Sequence, residues 1–253
     1  MKTKKIIFIA VILLLISIVS CKKDHEIQTG KVFNSEQGGG DTLVPGGNGN
    51  HEYVDLDLPS GTLWATCNLG ANSPEGYGYY YAWGETTTKE SYTWTSYKYS
   101  KGTTLYNPKL TRYCSDPDYG NNGYTDTLYY LLPEDDAATI NWGRNWRMPT
   151  EDQWQELINS TTIRETVQNG AHGRLFTAEN GNTLFLPAAG YLWNDNVLSD
   201  VGNKGYYWSS SLCQDSPSEA YLFSFYSNHS DVSTTIRIWG RTVRPVRSAK
   251  SQL

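Results

Sequence analysis

The chain has 253 residues, 38% of them hydrophobic and 19% charged, with a formal net charge of −5. That composition excludes a disordered acidic tail, a polytopic membrane protein and a collagen-like repeat. The scattered Lys and Arg and a pI near 5.4 exclude the concentrated basic face that nucleic acid requires.

Lys2, Lys4 and Lys5 precede an apolar run of 14 residues from Ile6 to Val19. A helix needs roughly 18–20 apolar residues to span a bilayer, so a basic start with this short core predicts a secretory signal peptide over residues 1–20. Ile18-Val19-Ser20-Cys21 resembles the lipobox of bacterial lipoproteins, which makes Cys21 the lipidated residue. Each buried CH₂ of an acyl chain contributes about 0.8 kcal/mol, so a multiply acylated Cys21 is a stable anchor by itself. The expected location is the outer membrane, lipid-anchored and at the cell surface, with the lipid as the only membrane contact.

Residues 21–50 read as the lipidated Cys and a flexible tether, with Gly38-Gly39-Gly40 and Gly46-Gly47-Asn48-Gly49-Asn50 and no apolar periodicity. Such a Gly-rich coil has an r.m.s. reach of roughly 30 Å. Asp41-Thr42-Leu43 resembles the short O-glycosylation sequon of Bacteroidota lipoproteins, or is a chance tripeptide.

Residues 51–253 read as one domain. Tyr53 to Leu58 alternates, Pro59-Ser60-Gly61 turns, and Thr62 to Cys67 is β-rich, which predicts a hairpin. Gly78 to Gly84 reads as a short aromatic strand, and residues 86–127 as long loops. Pro133-Glu134-Asp135-Asp136-Ala137-Ala138 opens a helix that Gly143 can end. Thr150 caps a second helix, Gln153 completes a capping box, and Trp154, Leu157 and Ile158 form its apolar stripe, with Trp154 expected to pack on Pro149 or Met148. Strands are expected over Thr183–Pro187, Tyr206–Ser211, Ala220–Tyr226, Thr234–Trp239 and Val243–Arg247. The fold class is α+β.

Beyond Cys21 the cysteines are Cys67, Cys114 and Cys213, an odd number in an exported chain. The spacing allows a Cys67–Cys114 pair, or three free thiols acting as small apolar residues. It does not suit a zinc site.

Several segments carry a family resemblance: Leu58 to Asn68, Tyr81-Ala82-Trp83-Gly84-Glu85, Glu134 to Ala138, Trp146-Arg147-Met148-Pro149-Thr150, Phe185 to Gly190, Tyr207 to Ser211 and Gly240 to Val246. In this order they resemble the Fibrobacter succinogenes major paralogous domain, over roughly residues 53–247. The resemblance implies a C-type-lectin-like fold of the formylglycine-generating-enzyme type, with short strands, two main helices and long loops. Arg147 to Trp154 is similar to an Arg-Leu-Pro-Thr-Glu-x-x-Trp stretch of those enzymes. Those enzymes use two Cys near the C-terminus. Here only Cys213 lies there, so their copper-dependent oxidation has no site to carry over. Ser160 stands where relatives often carry a Cys, which removes a family disulfide partner for Cys67.

No catalytic set is assigned. The four His are scattered, and a set drawn through Ser209–Ser211, His229 and Asp231 lacks a nucleophile elbow. Asp135 and Asp136 read as helix-start acids. No metal site is assigned and no cofactor is expected. Calcium is the one candidate ion, through oxygen ligands in Asp116 to Asn122, which departs from the EF-hand pattern, or through Trp193-Asn194-Asp195. That tripeptide matches the Trp-Asn-Asp of sugar-binding C-type lectins but has no Glu-Pro-Asn or Gln-Pro-Asp partner.

Trp64, Trp146, Trp154 and Trp208 read as core, whereas Tyr79–Tyr81, Tyr97, Tyr99, Tyr129 and Tyr130 are candidates to present flat faces for recognition. The segment Tyr226-Ser227-Asn228-His229-Ser230-Asp231 reads as an adaptable polar loop between two strands. Some relatives with this fold are targets of diversity-generating retroelements, which convert Asn codons to Tyr, Ser, His or Asp codons, and these six residues are all of those types. The expected function is reversible binding of an extracellular glycan or protein by a monomer, in adhesion or recognition, through Tyr226–Asp231 with Trp193 and Asn194. The alternative is a structural or assembly subunit of a surface appendage or envelope complex.

Overall fold

The computed structural model describes residues 51–102 and 108–249, together with the strand Val32–Phe33. The signal peptide, Cys21, Asp41-Thr42-Leu43 and the rest of the expected tether lie outside the described residues. Among the described residues no helix is long and apolar enough to cross a membrane.

The fold is α+β, with four small antiparallel sheets and two short α-helices among the described residues. The first sheet runs in the order β1 (Val32–Phe33), β2 (Tyr53–Asp55), β3 (Thr62–Ala65) and β12 (Val246–Ser248). The expected hairpin is present, with Tyr53 opposite Ala65 and Gly61 at φ 68 in its turn. The pairing of Val246 with Trp64 brings the C-terminal strand onto it. Strand β1 falls within the stretch read as tether and pairs Val32 with Val54.

A 3₁₀ turn, Pro133–Asp135, leads into α1 (Ala137–Trp142), and Gly143 at φ 95 ends that helix. Helix α2 (Glu151–Asn159) starts with the complete Thr150–Gln153 capping box. Then follow the sheet of β4 (Thr161–Gln168), β5 (Ala171–Ala178) and β6 (Thr183–Pro187), and the hairpin of β7 (Tyr191–Trp193) and β8 (Val197–Ser199). The last sheet has β10 (Glu219–Tyr226) between β9 (Lys204–Leu212) and β11 (His229–Ile236). The strand expected over Gly78–Gly84 is a single bridge, Tyr81 with Arg241. Its two flanking glycines take φ 73 and φ 77, and Trp83 N–H turns to the carbonyl of Arg237, so the segment crosses the C-terminal chain without running alongside it.

Two aromatic cores hold the layers. In one, Trp154 packs at 5.0 Å on Phe223 and 4.7 Å from Trp64, joined by Tyr207, Phe176 and Leu186. Met148 belongs to the second core, with Trp83, Tyr97, Tyr99, Tyr113 and Trp208. Trp64, Trp146, Trp154 and Trp208 are all buried, as the sequence led us to expect. Tyr81, Tyr97 and Tyr99 are buried too, so they offer no face to a ligand. Tyr79 and Tyr130 are exposed. Cys67, Cys114 and Cys213 are free, so the Cys67–Cys114 pair is not formed. The Cys114 thiol instead donates to the carbonyl of Asp116, 3.1 Å away.

The two acids before α1 have different tasks. Asp136 is the N-cap, accepting from the amides of Ala138 and Thr139. Asp135, 1% exposed, organises the long loops: it accepts the hydroxyls of Tyr99 and Tyr113 and pairs with Lys98 at 3.0 Å and Arg112 at 3.2 Å. Burial alone would raise its pKa, but the Tyr113 and Tyr99 hydroxyls and Lys98 outweigh it and hold the carboxyl below its ordinary value. A carboxyl depressed in the folded state adds stability above its unfolded pKa, ~4, and loses it as pH falls through the folded value. Asp135→Asn is expected to remove roughly 3 kcal/mol at neutral pH and to flatten the loss of stability on acidification. Urea midpoints measured from pH 7 down to pH 2 check both.

Candidate ligand-binding site

The segment Tyr226–Asp231 is a tight hairpin, not the adaptable loop its composition suggested. Strands β10 and β11 stay paired to the last residue, with Tyr226 opposite His229, so only Ser227 and Asn228 form the turn. Ser227 takes φ 47, the left-handed conformation that two-residue hairpin turns require. Beneath the turn, Arg174 of β5 donates to the Ser227 carbonyl, lies 5.3 Å from the Phe225 ring and pairs with Glu165 at 3.0 Å. Arg174 is itself buried, so it fixes the turn from below.

The exposed surface of this end is Tyr226, Ser227, Asn228 and His229. The Tyr226 and His229 rings lie 5.1 Å apart, and Lys204, opposite Tyr226 on β9, sits 5.8 Å from the Tyr226 ring while pairing with Asp200 at 3.2 Å. Ser230 and Asp231 are half-buried. Asp231 is committed internally, 3.0 Å from His229 Nε2 and accepting the Ser224 hydroxyl at 3.0 Å. The Ser209 hydroxyl donates to the Tyr221 carbonyl and that of Ser211 accepts the Glu151 amide, so these serines are engaged elsewhere and not with His229.

Trp193 and Asn194 lie at the tip of β7–β8, held by other partners. Asn194 and Asn196 take φ 48 and φ 63, closing the loop between Trp193 and Val197. The Asn194 carbonyl accepts the Tyr92 amide, Asp195 accepts the Ser91 hydroxyl at 3.1 Å, and the Trp193 indole donates to Ser199 at 3.0 Å. The tripeptide is thus a braced turn, with Asn194, Asp195 and Asn196 exposed at its tip and the apolar side chains Trp193, Val197 and Leu198 exposed beside them. The Asp116 segment is likewise a local turn, its carboxylate accepting the Asp118 amide at 2.9 Å. Among the described residues no three His, Cys, Asp or Glu side chains come together as a metal-holding group.

Sequence reasoning did not place Arg174 or Lys204. The signal for Arg174 was available: Asn169-Gly170 between two runs marks a two-residue hairpin, which forms β4–β5 and positions Arg174 three residues into β5. A groove of about 600 Å³ also lies between the turn before α1 and the segment leading into α2, with Tyr130, Arg144 and Arg147 among its walls.

The family described as a domain of unknown function, DUF8237, matches residues 174–246, less than a third of the chain, from Arg174 through both later hairpins to the first residue of β12. No curated protein and no solved structure matches.

Proposed function

We propose that this protein is a cell-envelope lipoprotein, anchored in the outer membrane through Cys21 and displayed at the cell surface, whose C-type-lectin-like domain reversibly binds an extracellular glycan or protein. The observation that carries this reading is the exposed set Tyr226, Ser227, Asn228 and His229, held rigid by Arg174 at the end of the β9–β11 sheet. An aromatic anchor beside small polar groups on a rigid turn gives large contact area at little entropic cost. The ordered motifs of the Fibrobacter succinogenes major paralogous domain, from Leu58 to Val246, support the lectin-like assignment.

A second reading, an envelope assembly subunit, draws on Trp193, Val197 and Leu198, exposed on β7–β8 beside its polar tip, because neighbouring apolar side chains left in water suit a protein interface.

Two arms test the proposal. Cells fed an alkyne-tagged fatty acid should label the protein, and Cys21→Ser should abolish the label. Full-length protein in detergent, screened on glycan and surface-protein arrays with calcium and with chelator, should give hits that Tyr226→Ala with His229→Ala weakens at least tenfold. Hits unchanged by that pair, or a calcium-dependent sugar hit lost on Asn194→Ala, would move the site away from the hairpin.

A further inference from the structure

The groove before α2 has a charge pattern that the fold itself does not use. Arg144 is exposed and makes no side-chain hydrogen bond or ion pair among the described residues. Arg147 is half-buried, and its Nη1 donates to two neutral acceptors, the Met148 carbonyl at 3.1 Å and Gln153 Oε1 at 2.6 Å. The backbone of Arg147 is fixed by a reciprocal bridge to Val246, so its guanidinium is carried on a rigid segment.

The carboxylate lining the same groove is Asp136. Its oxygens are taken by the amides of Ala138 at 2.8 Å, Thr139 at 3.0 Å and Met148 at 2.8 Å. In the groove lining two guanidiniums therefore stand against one carboxylate already bonded to the backbone, while Glu151 and Asp152 act on Tyr130 at the rim, so the unmatched positive charge belongs to the Arg144 and Arg147 side of the groove. Burial pushes the Arg147 guanidinium below its ordinary value, with Asp136 offsetting part of this, so an anion entering the groove would stabilise it further. On the rim, Tyr130 is 50% exposed and offers a flat apolar ring, and the Ser210 hydroxyl has no intramolecular partner among the described residues.

We propose that this groove is a second binding site, for a sugar ring bearing an anionic oxygen group, a carboxylate or a sulfate, which Arg144 and Arg147 grip while Tyr130 stacks on the ring. The planar fork of a guanidinium matches such groups in bidentate fashion, and aromatic faces pack on the apolar side of sugar rings. The groove volume of about 600 Å³ lies within the usual range for small-ligand sites, roughly 300–1,000 Å³. This site is independent of the hairpin reading.

The test is calorimetric titration of the full-length protein in detergent with glucuronic acid, galactose 6-sulfate and galactose. Binding of either acidic sugar, weakened at least tenfold by Arg144→Ala and by Tyr130→Ala with unchanged melting temperature, supports the proposal, and which acid binds identifies the source of the anion. Galactose binding as tightly as the acidic sugars overturns it. So does acidic-sugar binding that survives Arg144→Ala and Tyr130→Ala, or no binding of any of the three at millimolar concentration. Tyr226→Ala with His229→Ala should leave these affinities unchanged, which separates this site from the hairpin.

Discussion

Replacing Arg244 with leucine is expected to destabilise the domain by roughly 3–5 kcal/mol, as for a buried charge network broken from one side. Arg244 is fully buried and has no carboxylate partner among the described residues; its charge is met by neutral oxygens. Nε donates to Asn68 Oδ1 at 2.9 Å, Nη1 to the carbonyls of Ala65 and Thr66, and Nη2 to the carbonyl of Phe185 at 3.1 Å. One side chain next to β12 thus joins the end of β3 to β6. Leucine would leave these acceptors buried without donors, each costing about 1–3 kcal/mol before relaxation. Against a total stability of about 5–15 kcal/mol, that is a large fraction of what keeps the domain folded. A urea midpoint lowered with unchanged slope is the expected result, with Arg244→Lys recovering only part because an ammonium cannot reach all of the oxygens from one plane.

The second large effect is expected at Trp154. Its ring is fully buried, lies 5.0 Å from Phe223 with planes only 20° apart, and touches Trp64 and Tyr207. Its indole N–H donates to the Trp208 carbonyl at 3.3 Å. Trp154→Ala removes the main side chain by which α2 grips the β9–β11 sheet, and such truncations cost about 3–5 kcal/mol. For a domain of this size that corresponds to a melting temperature lower by roughly 10 °C, measurable by calorimetry. Trp154→Phe keeps most of the buried area and loses the hydrogen bond, so its loss should be distinctly smaller.

What was legible in the sequence were the features governed by local rules. The capping box at Thr150 and Gln153, Gly143 after α1, the alternation of Tyr53 to Leu58 and the apolar runs of β6, β9 and β10 each impose one conformation on their own residues. Strand β4 was not legible, and of β11 only Thr234–Ile236 fell within an expected strand, because neither has a fully buried face to create alternation. They exist through cross-strand pairing, and for that reason the polar run Tyr226–Asp231 looked like a loop. Burial of charge was hidden as well. Nothing local distinguishes Asp135, enclosed by two tyrosines, from Asp136, which caps a helix, and nothing in the Arg244 motif tells that its guanidinium is spent on backbone carbonyls. The candidate site was half legible: its exposed residues were identified, but Arg174, which fixes them, is 52 residues or more away in sequence from every one of them.

The central claim is that the rigid hairpin end of the β9–β11 sheet is the recognition surface. The most direct measurement is the affinity of the full-length protein for the strongest array hit, compared among wild type, Tyr226→Ala with His229→Ala, and Asn194→Ala. We expect at least a tenfold loss in the hairpin variant, with an unchanged melting temperature, and wild-type affinity in the Asn194 variant. Equal affinity in wild type and the hairpin variant would contradict the account.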